Sequence, residues 1–154
     1  MSRTVVLVDA VRTPFGKAGS MYSGTRADDL IVRAMRGLLE RNPKVNPVDI
    51  EDVAIAAATQ TGDQGMNLGR SASLLAGLPN TVPGYSVDRW CAGALTATTS
   101  LAGAIAIGSI DIAIAPASDV VAVSAPAHQR STEYPGTVFG RPASNDALRP
   151  KFIP

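Results

Sequence analysis

Gly84-Tyr85-Ser86-Val87-Asp88-Arg89-Trp90-Cys91-Ala92-Gly93-Ala94-Leu95-Thr96-Ala97 is the stretch on which the fold turns. Its first half, Gly84 to Asp88, is a short apolar run opened by glycine and closed by charge, and predicts a brief strand. Its second half opens a run without charge from Cys91 to Ile110, twenty residues rich in Ala, Gly, Thr and Ser. That run predicts a helix to about Ile107, stopped by Gly108-Ser109. On length it could span a bilayer. A span needs strongly apolar side chains, however, and Asp111 follows at once. A helix without charge over five turns is expected to be covered on all sides by protein. One α/β layer does not surround a helix, so a partner layer is expected from a longer chain or another subunit.

The same strand–helix alternation extends in both directions. Residues 4–10 form a β-branched apolar run that predicts a first buried strand. Val11 to Gly24 is turn-like, with Arg12-Thr13-Pro14-Phe15-Gly16 followed by Gly19, Ser20, Ser23 and Gly24. A helix then starts at Thr25 or Ala27, with Asp28 and Asp29 in its dipole-favoured first turn. Leu30, Ile31, Ala34, Met35, Leu38 and Leu39 recur at helical spacing, and Asn42-Pro43 stops it. Pro47 to Asp52 reads as a helical turn and Val53 to Thr59 as a second buried strand. Asn67 caps a helix through about Ala76, ended by Gly77-Leu78-Pro79. Asp111 to Ala115 is a fourth strand. The expected fold class is therefore α/β: a mostly parallel sheet with helices on both faces and right-handed crossovers.

After Ala115 this grammar stops. Six of the eleven prolines fall at 116, 126, 135, 142, 150 and 154. Val120 to Val123 could form a short strand or helix stub. Residues 116–154 otherwise read as an irregular Pro/Ala-rich tail, and 1–115 as the folded part. With only four strands the layer is expected to be incomplete, its sheet left with an open edge.

Composition excludes several classes of function. The 154 residues carry 14 Lys+Arg and 13 Asp+Glu, a net charge of +1, which gives no basic face for nucleic acid. Hydrophobic residues at 45% and charged residues at 18% are an ordinary globular balance. One cysteine forbids an internal disulfide and a Cys-rich zinc site, so no metal is expected. The apolar run near Met1 is cut short by Asp9, too early for a secretory signal. A cytoplasmic protein with no membrane partner is expected.

Cys91 is the candidate site residue. At a helix start, unpaired N–H groups and the dipole converge, which favours a thiolate and could face an oxyanion. The competing reading is a small buried apolar cysteine. Gly62-Asp63-Gln64-Gly65 is no phosphate loop, because the Gly-Lys-Ser/Thr ending is missing. Arg12 and Lys17 read as solvated loop cations. His128 reads as a tail histidine with no element to hold it near Cys91.

Taken together, several stretches resemble the N-terminal part of the thiolases, acyl-CoA C-acyltransferases. They are Asp9-Ala10-Val11-Arg12-Thr13-Pro14-Phe15-Gly16-Lys17, the helix from Asp28-Asp29-Leu30, and Gln60-Thr61-Gly62-Asp63-Gln64-Gly65-Met66-Asn67-Leu68-Gly69-Arg70. Val87-Asp88-Arg89-Trp90-Cys91-Ala92-Gly93-Ala94-Leu95 and Gly103-Ala104-Ile105-Ala106-Ile107-Gly108-Ser109-Ile110-Asp111 complete the set, in family order over residues 4–115. Ala92-Gly93-Ala94 departs from the commoner Ser-Gly or Gly-Ser wording but keeps the residues small.

The resemblance implies the thiolase N-terminal domain fold and thiolytic cleavage of a 3-ketoacyl-CoA, or the reverse Claisen condensation, through an acyl-thioester on Cys91. It implies coenzyme A as substrate with no resident cofactor, and a place in fatty acid metabolism. It also implies a full-length homo-oligomer, a dimer or tetramer, with residues 60–65 near the dimer contact. The family's His base, its second Cys and its Asn-His pair have no counterparts here, and nothing after Ala115 resembles its CoA-binding loop domain. A truncated chain, inactive alone, is the resulting expectation, with a frameshifted gene product as one origin. A non-catalytic thiolase-like interaction subunit is the alternative. A β-ketoacyl synthase relative fits the Arg12–Lys17 start less well.

Overall fold

A computed structural model describes residues 3–17, 19–118 and 136–140, with backbone alone at Ser118 and 136–140. Nine elements follow in order: β1 (Val6–Val11), α1 (Ala27–Arg41), β2 (Asp52–Ala57), α2 (Leu68–Ala76), β3 (Tyr85–Val87), α3 (Gly93–Ile107), β4 (Ile112–Ala115), β5 (Ala117–Ser118) and β6 (Gly136–Gly140). Short 3-10 turns occupy Pro47–Asp49, Gly62–Gln64 and Trp90–Ala92. The sheet order is β1-β6-β4-β2-β3, with β5 also pairing β2. β3, β4 and β5 run parallel to β2, while β6 lies antiparallel to both β1 and β4. The mostly parallel sheet with helices on both faces is thus present.

β2 is apolar throughout because both its faces are covered. Val53, Ile55 and Ala57 turn toward α1 and α2, into a core with Ile31, Met35, Leu38, Leu68, Ala72 and Ile114. Ala54 turns the other way, toward α3, with Ala97, Leu101, Ile105, Ala113 and Ala115. α1 begins and ends where its spacing predicts, and the Asn42 side chain stops it by donating to the Leu38 carbonyl at 2.8 Å. α2 starts on Asn67, whose side chain accepts from Arg70 N–H, and ends on Gly77 at φ 94°. That angle is comfortable only for a residue without Cβ.

Two expectations change. First, the described residues form six strands rather than four. β5 continues β4 past Pro116, which lacks an N–H but still accepts from Ala56 N–H at 3.0 Å. A proline interrupts a ladder without ending the path of the chain. Second, the tail is not irregular throughout. Gly136–Gly140 lies between β1 and β4, with Val6 opposite Gly140 and Ala115 opposite Thr137. Residues 119–135 and 141–154, including Val120–Val123 and His128, lie outside the described residues. Within this chain α3 is covered on one stripe only, and its other face is left to the partner layer expected from the sequence. Gly93, Ala97, Leu101 and Ile105 are buried against the sheet, whereas Leu95 and Ile107 are exposed. Helix packing on a sheet needs one face, and small residues elsewhere leave the helix uncharged without burying it. Trp90–Ile107 is long and apolar enough to cross a membrane by composition, yet its buried stripe is engaged by β2 and β4.

Two predictions follow from this packing. A methyl group at Gly69 would run into the Tyr85 peptide, and one at Gly84 would meet the Gly69 carbonyl oxygen at 2.6 Å. Gly69→Ala should therefore cost about 1–3 kcal/mol, read as a lower denaturant midpoint with unchanged slope. Burial raises the Asp52 carboxyl above its ordinary range, against the pull of a 2.8 Å hydrogen bond from Val53 N–H. A folded pKa above the unfolded one means the folded state holds the proton longer, so stability falls as pH rises through that window. Asp52→Asn keeps the acceptor and removes the half-buried charge. It should raise Tm by about 1–3 °C at pH 7, with the gain vanishing below the carboxylate range.

Candidate active site

Because β2, β3, β4 and β5 run parallel, the segments that leave them gather at one edge of the sheet. Ala56 is paired with Val87 on one side and Ala117 on the other. Residues 58–67, 88–92 and 116–118 therefore meet at the carboxyl ends of the strands, where open α/β sheets bind ligands.

Cys91 lies at this edge and is exposed. The reading of it as a small buried core residue does not hold. The expectation that it opens the first turn of the long helix is off by a small step. Cys91 sits in the 3-10 turn Trp90–Ala92, and α3 begins at Gly93. Ala92 N–H donates to the Arg89 carbonyl at 3.0 Å and Gly93 N–H to the Trp90 carbonyl. The tighter turn thus uses two amides that an α-helical start would leave unpaired.

The turn is built by three features. Trp90 adopts φ 47°, in the left-handed region that a bulky residue rarely enters. Gly93 seats the start of α3, since a Cβ there would stand 3.1 Å from Ala56 Cβ. Arg89 Nη1 donates to Thr96 Oγ1 at 2.9 Å, and Thr96 Oγ1 donates to the Ala92 carbonyl at 3.0 Å. Sequence reasoning overlooked Arg89 and Thr96. Periodicity gave no signal for the pair, because Arg89 lies outside the helix, at φ −147° and ψ 35°, before a left-handed Trp90.

The Gln60–Asn67 segment is fixed beside α1. Asp63 accepts from Ala27 N–H at 3.3 Å and pairs with Arg26 at 3.4 Å. Arg26 also forks onto Asp28 at 2.9 and 2.8 Å, and this hydrogen bonding holds the Asp28 carboxyl below its usual range. Gln64 is buried, and its Oε1 has no hydrogen-bond partner among the described residues. Met66 and Asn67 follow with φ 55° and 58°.

Arg12 and Lys17 are exposed, on the segment leaving β1. Arg12, with Thr13, Tyr22, Leu30 and Arg33, lines a groove of about 340 Å³ between that segment and α1. No group of three or more His, Cys, Asp or Glu side chains suited to a metal occurs among the described residues.

The thiolase N-terminal domain model matches residues 5–138, a span that runs past Ala115, where the motif-by-motif resemblance ended. A 3-ketoacyl-CoA thiolase of Aliivibrio salmonicida is 44% identical over 113 residues, 73% of this chain and 29% of that protein. A beta-ketoadipyl-CoA thiolase of Pseudomonas aeruginosa is 44% identical over 115 residues, 75% of this chain and 29% of that protein. The crystal structure of the Bacillus anthracis acetyl-CoA acetyltransferase superposes with a TM-score of 0.70 at 30% identity, covering 75% of this chain and 29% of that one. The chain thus spans under a third of the length of these relatives. Matched over most of its own length by this domain, it belongs to the thiolase family.

Proposed function

We propose that Cys91 is the acyl-carrying nucleophile of a thiolase reaction on 3-ketoacyl-CoA substrates. The observation that supports it most is the placement of one exposed thiol at the head of α3, on the carboxyl edge of a parallel sheet. The names of its relatives supply the substrate class. The Cys91 thiolate attacks the keto carbon of the substrate. The bond between that carbon and the α-carbon breaks, and its electron pair leaves on acetyl-CoA as an enolate that takes a proton. The acyl group stays on Sγ as a thioester. Coenzyme A, as its thiolate, then attacks that carbonyl, the bond to Sγ breaks, and an acyl-CoA two carbons shorter departs. Run backwards, the same steps are a Claisen condensation.

The 154 residues contain one histidine, His128, and no second cysteine. A nucleophile acting without its proton-handling partners loses orders of magnitude in rate. We therefore assign catalysis with full turnover to an assembly larger than these residues. Coenzyme A is substrate, the expected location is the cytoplasm, and the larger protein is expected to be a dimer or tetramer. The exposed apolar positions of α3, Leu95 and Ile107, also fit a non-catalytic subunit that docks on a complete thiolase. Co-elution with a full-length thiolase, without acylation of Cys91, would favour that second reading.

Incubation with acetoacetyl-CoA should add one acetyl group to Cys91, seen by intact mass and peptide mapping and abolished in Cys91→Ser. Multiple-turnover thiolysis with added coenzyme A should fall at least about 10³-fold below a complete thiolase. Full turnover by these residues alone, or acetyl label elsewhere than Cys91, contradicts the proposal.

A further inference from the structure

We infer that Arg89 and Thr96 form a clasp that fixes the Trp90–Cys91 turn, making them positioning residues for the thiol; their use in acyl capture rests on the function proposed above. The two hydrogen bonds run in series. The Arg89 guanidinium donates to Thr96 Oγ1 at 2.9 Å, and that hydroxyl donates to the Ala92 carbonyl at 3.0 Å. The chain thereby joins the residue before the turn, the residue closing it and the first turn of α3. Trp90 and Cys91 are the two residues enclosed.

A hydroxyl that accepts from a cation becomes a better donor, so each bond strengthens the other. A threonine bonding back to the carbonyl four residues earlier is common in helices. Here the same oxygen is also tied to a cation on the far side of a left-handed residue, which an isolated back-bond does not explain. Holding Trp90 at φ 47° costs energy that neighbouring contacts must offset. The backbone bond from Ala92 N–H to the Arg89 carbonyl closes the turn at its base. The clasp closes it through side chains. The Gly93 contact on Ala56 holds only the helix start, leaving the direction of the Cys91 side chain to the turn itself. Small displacements of a reacting atom are expensive in rate.

Trp90 is the only tryptophan in the chain and is 74% exposed, so its fluorescence reports the turn directly. Time-resolved anisotropy is compared for the unchanged chain, Thr96→Val, Thr96→Ser and Arg89→Met, beside the rate of Cys91 acetylation by acetoacetyl-CoA. Circular dichroism melting verifies that each variant folds. Thr96→Val and Arg89→Met should enlarge the fast local motion of Trp90 and slow acetylation about tenfold, while Thr96→Ser restores both. Unchanged anisotropy in folded Thr96→Val and Arg89→Met overturns the clasp. Loosened anisotropy with acetylation at the original rate overturns its positioning role. If the unchanged chain takes no acetyl group while both variants loosen Trp90 and serine restores it, the clasp stands and the thiolase assignment of Cys91 fails. Should Thr96→Val not fold, Arg89→Met decides by the same two readouts.

Discussion

The start of α3 rests on β2 through Gly93 and Ala56, and the site depends on that contact. A Cβ at 93 would stand 3.1 Å from Ala56 Cβ, closer than ordinary van der Waals contact, so a side chain there would push helix and strand apart by a few tenths of an ångström. The helix axis can therefore come close to the strand, and the turn before it is drawn over the end of the sheet. Cys91 reaches the edge because of this closeness rather than through its own contacts. The apolar surface buried by Ala97, Leu101 and Ile105 then keeps the helix in place. Seating comes from a missing side chain, and holding comes from larger ones further along.

The opposite face is built differently. α1 and α2 bring long aliphatic side chains, Met35, Leu38 and Leu68, onto Val53 and Ile55. Polar ties then fasten the ends. Asp9 accepts from Arg41 at 3.0 Å and from the Asn42 amide at 2.8 Å, joining the close of α1 to β1. Asp63 and Arg26 do the equivalent at the start of α1. Such pairs add little stability individually, but the Asp63–Arg26 pair fixes where the Gln60–Asn67 segment lies relative to α1.

Much of this was readable in the residues. α1 declared itself by Leu30, Ile31, Met35 and Leu38, and α2 by its Asn67 cap and Gly77 stop, because those signals are local. β2 was readable as a buried strand because it is apolar on both faces. β6 was not. Gly136-Thr137-Val138-Phe139-Gly140 is five residues long, flanked by Pro135 and Pro142, and its pairing with β1 and β4 is a long-range property. Cys91 was singled out by its neighbours. The left-handed Trp90 was not, because nothing in a tryptophan announces a conformation it ordinarily avoids.

The four buried positions of α3 are spaced by four residues without exception: 93, 97, 101 and 105. Such a row does not run straight down a helix; it is inclined by roughly 26° to the axis. That ridge is the side of α3 that meets Ala54 of β2 and Ala113 and Ala115 of β4. The face that α3 turns to the sheet is thus already written in the four-residue spacing of those positions.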